Sequence, residues 1–213
     1  AYSFMHKVDI LPGQNILING ATGGIGSALL QFVKQYDVKI TATCNTKNIS
    51  LIQSLGADKV YDYTQEDFTT DTAQYDFIFD AVGKSTFGKC KPLLKENGIL
   101  SFVLPKNFLN CLYYNKTREY INETCEILHI FECNEKYIET KQGTIVLIIR
   151  KNIPLNTLLN SKYNLKINDY LIFGIEDTIT KLKNLYGNSK SLDDLGFKVN
   201  IGNVVWNQCK NIL

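Results

Sequence analysis

Histidine, tryptophan, methionine and proline are scarce in this chain, and each scarcity narrows the chemistry open to it. The 213 residues include two histidines, one tryptophan, one methionine and four prolines. His6 and His129 stand at no ligand spacing from the six cysteines (Cys44, Cys90, Cys111, Cys125, Cys133, Cys209), among which no C-x-x-C pair occurs. A site built on Cys and His needs closely and regularly spaced ligands, so no metal is expected. The scattered thiols read as reduced cysteines of an intracellular protein, and a cytoplasmic location is expected. His129 lies in the apolar run Ile127–Phe131 and reads as a strand histidine rather than a catalytic base.

Long apolar runs are missing as well. The longest, Thr144 to Ile149, is strand-sized, so no membrane partner is expected. No basic-then-apolar signal segment opens the sequence. A formal net charge of +2 is too small to argue for nucleic acid or a membrane surface.

What the chain does have is glycine in the right place. In Asn15–Phe32, NILINGATGGIGSALLQF, the apolar run Ile16-Leu17-Ile18 stops at Gly20, Gly23, Gly24 and Gly26. A helical pattern follows, with Ile25, Ala28, Leu29, Phe32 and Val33 on one face. Strand, glycine turn and amphipathic helix make the opening of a βαβ unit. The turn leaves backbone N–H groups at the positive end of a helix, which suits a phosphate. Aligned to G-x-G-x-x-G, the stretch Ala21-Thr22-Gly23-Gly24-Ile25-Gly26 has Ala in the first slot, and a ligand-free tight turn remains the alternative.

Downstream, strands are expected at Val38–Thr43, Lys59–Tyr63, Asp76–Gly83 and Ile99–Leu104. Between them, Asn45 or Thr46 can cap a helix carrying Ile49, Ile52 and Leu55 that Gly56 ends. Ser85 can cap another, with Phe87, Cys90, Leu93 and Leu94 inward. This alternation defines an α/β fold, a doubly wound, mostly parallel Rossmann-like sheet. Its ligand belongs at the carboxyl ends of strands one and four, where strand order reverses.

Residues 10 to about 98 closely resemble the cofactor domain of zinc-independent medium-chain dehydrogenases/reductases, the quinone oxidoreductase-like branch. The matching pieces are PGQNILINGATGGIGSALLQFVK, SLGADKVYDYTQEDF and YDFIFDAVGKSTFGKCKPLLKENG. The resemblance implies NADP(H) binding and hydride transfer to a small carbonyl or quinone substrate. It places Thr22, Gly23, Gly24, Ile25 and Gly26 at the pyrophosphate. Asn45, Thr46 and Lys47 fall near the adenosine ribose, Tyr63 on the adenosine side, and Ala81, Val82 and Gly83 by the nicotinamide half. Catalytic residues are not assigned, because the substrate domain that this family carries ahead of the segment has no counterpart in the residues before Pro12.

From Gly98 onward the text resembles the latter part of restriction–modification N6-adenine DNA methyltransferases, most distinctly in KQGTIVLIIRK and VNIGNVVWNQCK. That resemblance implies that Ile127–Phe131 and Thr144–Ile149 complete one sheet of about seven strands, with the final pair antiparallel. It also raises DNA as a partner, although Asn115-Lys116-Thr117-Arg118 reads first as a solvated helix face. S-adenosylmethionine is not expected. Asp80-Ala81-Val82-Gly83 replaces the N/D-P-P-Y/F/W motif, and Ile16–Asn19 offers no carboxylate before the glycines. The expected organisation is a dinucleotide-binding part at 1–105, completion of the same sheet at 106–152, and a less regular, target-recognition-like extension at 153–213. A catalytically silent scaffold on a nucleotide-binding fold is the remaining alternative.

Overall fold

The computed structural model describes residues 1–82, 87–133, 143–151 and 162–189. After a short α1 (Tyr2–Met5), strands and helices alternate as β1 (Asn15–Asn19), α2 (Gly24–Val33), β2 (Lys39–Cys44), α3 (Ile49–Ser54) and β3 (Lys59–Asp62). Then come β4 (Tyr75–Asp80), α4 (Phe87–Cys90), β5 (Leu94–Pro105), α5 (Asn115–Thr124), β6 (Cys125–Cys133) and β7 (Thr144–Lys151). A hairpin of β8 (Asn164–Ile167) and β9 (Tyr170–Phe173) precedes α6 (Glu176–Asn188).

The seven main strands form one sheet in the order β3-β2-β1-β4-β5-β7-β6. β1 to β5 run parallel, whereas β7 is antiparallel to both of its neighbours, β5 and β6. The single-sheet expectation holds, and the sheet passes through residue 98 without a break. Period-2 alternation sorts the apolar side chains onto two faces. Ile16, Ile18, Phe77 and Phe79 pack with Leu29, Leu30 and Val33 of α2 and Ile52 of α3. On the other face Leu17, Ile78, Leu100 and Phe102 pack with Phe87 and Cys90 of α4 and Ile121 of α5. Both faces of the parallel strands are covered, and for that reason β1 reads as an apolar run, whereas β2 alternates and buries Thr41 and Thr43 on its other face.

Three local expectations are corrected. In α2 the buried stripe is Gly26, Leu29, Leu30 and Val33, whereas Phe32 turns outward toward Tyr2, 6.3 Å between ring centroids. The stretch Leu93–Gly98 is not a helix end. Lys91–Leu93 form a 3-10 turn, and Leu94 already pairs with Tyr75 in β5. The pairing then jumps to Phe77 with Ile99, so the residues between bulge out, with Asn97 at φ 60°.

The third concerns Arg118, which is 1% exposed rather than on a solvated face. It donates to the carbonyls of Phe108 and Cys111 at 2.8 and 2.9 Å and to that of Leu171 in β9. Burial lowers its pKa against the opposing pull of Cys111 and Glu119. Asn115 accepts from Leu171 N at 2.8 Å, so α5 is the seat on which the hairpin rests. The expected helix around Ile179 is α6, which runs to Asn188, one residue past Gly187. Ser85 as a cap, Ser191–Leu195 as a helical piece and Phe197–Trp206 as a strand lie outside the described residues.

Candidate functional site

At the carboxyl end of β1 the chain reverses into α2 through Gly20, whose φ of +84° lies in the left-handed region. A side chain there is excluded twice. The conformation costs a non-glycine residue about 1–2 kcal/mol, and a Cβ would sit 2.2 Å from Cγ2 of Val82. A Cβ on Gly26 would sit 2.1 Å from the Gly20 carbonyl oxygen, so glycine is what lets α2 approach β1. Gly24 is different, with nothing within 4 Å of where its Cβ would be. The tight-turn glycine is therefore Gly20 rather than the slot that Ala21 occupies in the aligned fingerprint.

Gly23 caps α2 without a side-chain hydrogen bond, and no acidic residue stands in the first turn. The first N–H groups of the helix thus need a partner from outside the chain, and the dipole favours an anion. In front of them is a cavity of about 310 Å³ lined by Gly23, Gly24, Ile25, Gly26, Ala81 and Val103. Ile25, Ala81 and Val103 also line a second cavity of about 560 Å³, so the two form one crevice over the carboxyl ends of β1, β4 and β5.

A polar stripe holds these strand ends in place. Thr43 Oγ1 donates to Asn19 Oδ1 at 2.6 Å, and Asn19 Nδ2 donates to Asp80 Oδ1 at 3.1 Å. The same Thr43 oxygen accepts from Gly20 N at 2.9 Å, and Asp80 Oδ1 accepts from Val82 N at 2.9 Å. One buried network thereby fixes both the glycine turn and the Ala81-Val82 turn. Sequence reasoning missed Asn19, Thr43 and Asp80, although a polar residue closing each of three apolar strands was the available signal.

The residues expected on the adenosine side also converge. Cys44 pairs with Asp62, and Tyr63 N donates to the Cys44 carbonyl at 3.0 Å, so the ends of β2 and β3 lie side by side. Asn45 begins the 3-10 turn Thr46–Asn48 beside exposed Tyr63. Asp62 accepts from the hydroxyls of Thr46 and Thr64, which in that order hold its carboxyl below the usual carboxylate range. Lys47 is exposed and has no partner among the described residues. Thr22 is exposed, and Gly83 lies outside the described residues.

His129 lies in β6, stacked on Phe131 at 5.5 Å, and lines neither cavity. Burial, then Lys7 and Lys162, lower its pKa. Among the described residues no three His, Cys, Asp or Glu side chains come together as a metal cluster, and no helix is long and apolar enough to cross a membrane.

Fold and site together define a Rossmann-like α/β protein of the nucleotide-binding type, with a glycine-rich turn at the carboxyl end of β1. Residues 55–157 match the family model described as zinc-binding dehydrogenase. The chain is 36% identical over 100 residues to the 2-methylene-furan-3-one reductase of Solanum lycopersicum, covering 46% of this chain and 25% of the relative. It is also 36% identical over 94 residues to the chloroplastic NADPH-dependent alkenal/one oxidoreductase of Arabidopsis thaliana, covering 43% and 24%. Among solved structures, the quinone oxidoreductase from Coxiella burnetii aligns over 46% of this chain and 31% of its own, with 26% identity and a TM-score of 0.43. The chain thus spans about a quarter of the length of the curated relatives. The comparisons support a quinone oxidoreductase-like cofactor domain of the medium-chain dehydrogenases/reductases. The family match continues past Gly98 to residue 157, so neither the methyltransferase resemblance nor a chimeric junction at Gly98 is supported.

Proposed function

We propose that this chain binds NADP(H) in the crevice over β1, β4 and β5 and serves the reduction of a small quinone or enone-type carbonyl compound. The observation that carries the reading is the contrast between two glycines. Gly26 has no room for a Cβ because helix and strand must touch, whereas Gly24 faces open space at an uncapped helix start. Packing explains the first, and a diphosphate explains the second. The nicotinamide, when bound, supplies the hydride. Gly24, Ile25 and Gly26 hold the pyrophosphate, Ala81 and Val82 bound the nicotinamide half, and Asn45, Thr46, Lys47 and Tyr63 surround the adenosine ribose. The names of the relatives, an NADPH-dependent alkenal/one oxidoreductase and a quinone oxidoreductase, support the cofactor and the substrate class. In this organisation residues 1–105 carry the cofactor, 106–152 complete the sheet and 153–213 form an extension.

The segment after β2 sets the choice of dinucleotide. Its free cation, Lys47, stands where an acid would otherwise take the ribose hydroxyls, and Thr46 occupies the nearby Asp62 carboxylate. A charge-assisted hydrogen bond is worth roughly 1.5–3 kcal/mol, so NADPH should bind about ten- to a hundredfold tighter than NADH. Calorimetric titration of both cofactors should show that preference and its loss in Lys47→Ala. Equal or tighter binding of NADH by the unsubstituted chain would refute the assignment.

Asp80-Ala81-Val82-Gly83 gives no aromatic ring to hold a flipped adenine, which speaks against methyl transfer.

A further inference from the structure

The 3-10 turn Thr46–Asn48 that follows β2 is a single turn, and such a turn holds itself weakly. Asn48 N donates to the Asn45 carbonyl at 3.0 Å, and Asn45 caps the turn without a side-chain hydrogen bond. Lys47, exposed in the middle of it, therefore takes its place from whatever holds the turn. The segment after β3 is also a turn. It begins at Tyr63, 57% exposed, and both Gln65 N and Glu66 N donate to the Asp62 carbonyl at 2.9 Å.

One side chain joins the two segments. Asp62, 5% exposed at the end of β3, is an acceptor with two oxygens, and each oxygen serves a different segment. Oδ2 accepts from the hydroxyl of Thr46, the neighbour of Lys47. Oδ1 accepts from Thr64 N at 2.9 Å and from Thr64 Oγ1 at 2.7 Å, next to Tyr63. The two threonine hydroxyls come within 3.2 Å of each other, so the clasp is closed. Thr46 most, and then Thr64, hold the carboxyl below the usual carboxylate range, which keeps the clasp ionised at neutral pH. Hydrogen bonds to an ionised acceptor are the stronger kind.

Judged by charge alone, this carboxylate is out of place. An anion beside the segment that takes a ribose 2′-phosphate repels that phosphate, and a neutral residue would serve better. What it holds together accounts for it, since Lys47 and Tyr63 stand directly beside its two threonine partners. We propose that Asp62 is a positioning residue for the 2′-phosphate of the dinucleotide, its carboxylate clasping the two segments that carry Lys47 and Tyr63. It acts through those residues and touches no ligand itself. The inference rests on the NADP(H) reading and goes beyond it by naming the group that assembles the phosphate end.

The test is titration of NADPH and NADH into a short series of variants. Asp62→Ala should weaken NADPH roughly tenfold and change NADH about twofold or less, because the clasp acts on the 2′-phosphate end. The sign is diagnostic: removal of a negative charge alone would tighten NADPH. In a Lys47→Ala background the same substitution should cost about threefold at most, since one of the side chains it positions is gone. Thr46→Val, at an exposed position that the fold tolerates, opens the Oδ2 arm alone and should weaken NADPH roughly threefold with the same selectivity. Three results would overturn the proposal: NADPH affinity unchanged or tightened in Asp62→Ala and Thr46→Val, an equal loss of NADH, or the full tenfold loss persisting without Lys47. A parent chain with no preference for NADPH removes the NADP(H) reading and the clasp with it. A parent chain that prefers NADPH and keeps that preference in Asp62→Ala removes the clasp alone.

Discussion

Two neighbouring glycines separate packing from ligand binding at the level of single atoms. Adding a Cβ at Gly26 forces it against the Gly20 carbonyl oxygen, 2.1 Å away, with backbone and not a flexible side chain as the obstacle. Gly26→Ala should therefore destabilise the fold by about 1–3 kcal/mol and abolish cofactor binding. Gly24→Ala meets nothing within 4 Å and should change stability by about 0.5 kcal/mol or less, while weakening NADPH by filling the phosphate space. Urea unfolding and NADPH titration of the two variants separate these outcomes, and equal stability losses would contradict the assignment. The four glycines were visible in the sequence, but their separate duties were not. That Gly20 turns the chain follows from its φ and from Val82, a residue 62 positions later and invisible to local pattern. The Thr43–Asn19–Asp80 network was hidden for the same reason, because cross-strand register decides which polar residues meet.

At the level of elements, strands and helices were legible because buried parallel strands read as apolar runs and glycines punctuate them. The exceptions have identifiable causes. Arg118 sits in a helix that looks hydrophilic, and only the hairpin β8–β9 supplies the carbonyl of Leu171 that makes its burial tolerable. Arg118→Met should leave up to three carbonyls without this donor, at about 1–3 kcal/mol each, and lower the thermal midpoint without altering NADPH affinity. A parallel loss of NADPH affinity would show that α5 and the crevice are coupled. The amino ends of β3 and β4 carry a second polar group, in which Asp71 accepts from Tyr75 Oη at 2.6 Å, from Ala73 N at 3.0 Å and from Lys59 Nζ at 3.3 Å. Burial raises its pKa, but the hydrogen bonds from Tyr75, Ala73, Tyr61 and Lys59 outweigh that and leave it strongly lowered. A lowered carboxylate pKa gives stability that is complete above the unfolded value, about 4, and is lost as pH falls below it toward the folded value. Acid titration of stability should therefore be shallower below pH 4 in Asp71→Asn than in the parent chain; identical acid limbs would contradict this role.

For the whole molecule, one sheet sets the position of the candidate site residues that the structure describes. Reversal of strand order between β1 and β4 opens the crevice, Lys47 and Tyr63 follow the adjacent carboxyl ends of β2 and β3, and β5 with β7 wall the larger cavity. The sequence showed the strands on either side of Gly98, but a change of text there suggested two sources. Pairing of Ile99–Pro105 with Thr144–Arg150 makes the one continuous sheet that was expected, and the family match running from residue 55 to 157 does not support two sources. The central claim is that this crevice takes a dinucleotide at the start of α2, and it is tested most directly by the backbone amide signals of Gly24, Ile25 and Gly26. Titration with NADPH should move these three to saturation, and S-adenosylmethionine at the same concentrations should leave them in place. Signals unmoved by NADPH, or moved by S-adenosylmethionine, would contradict it.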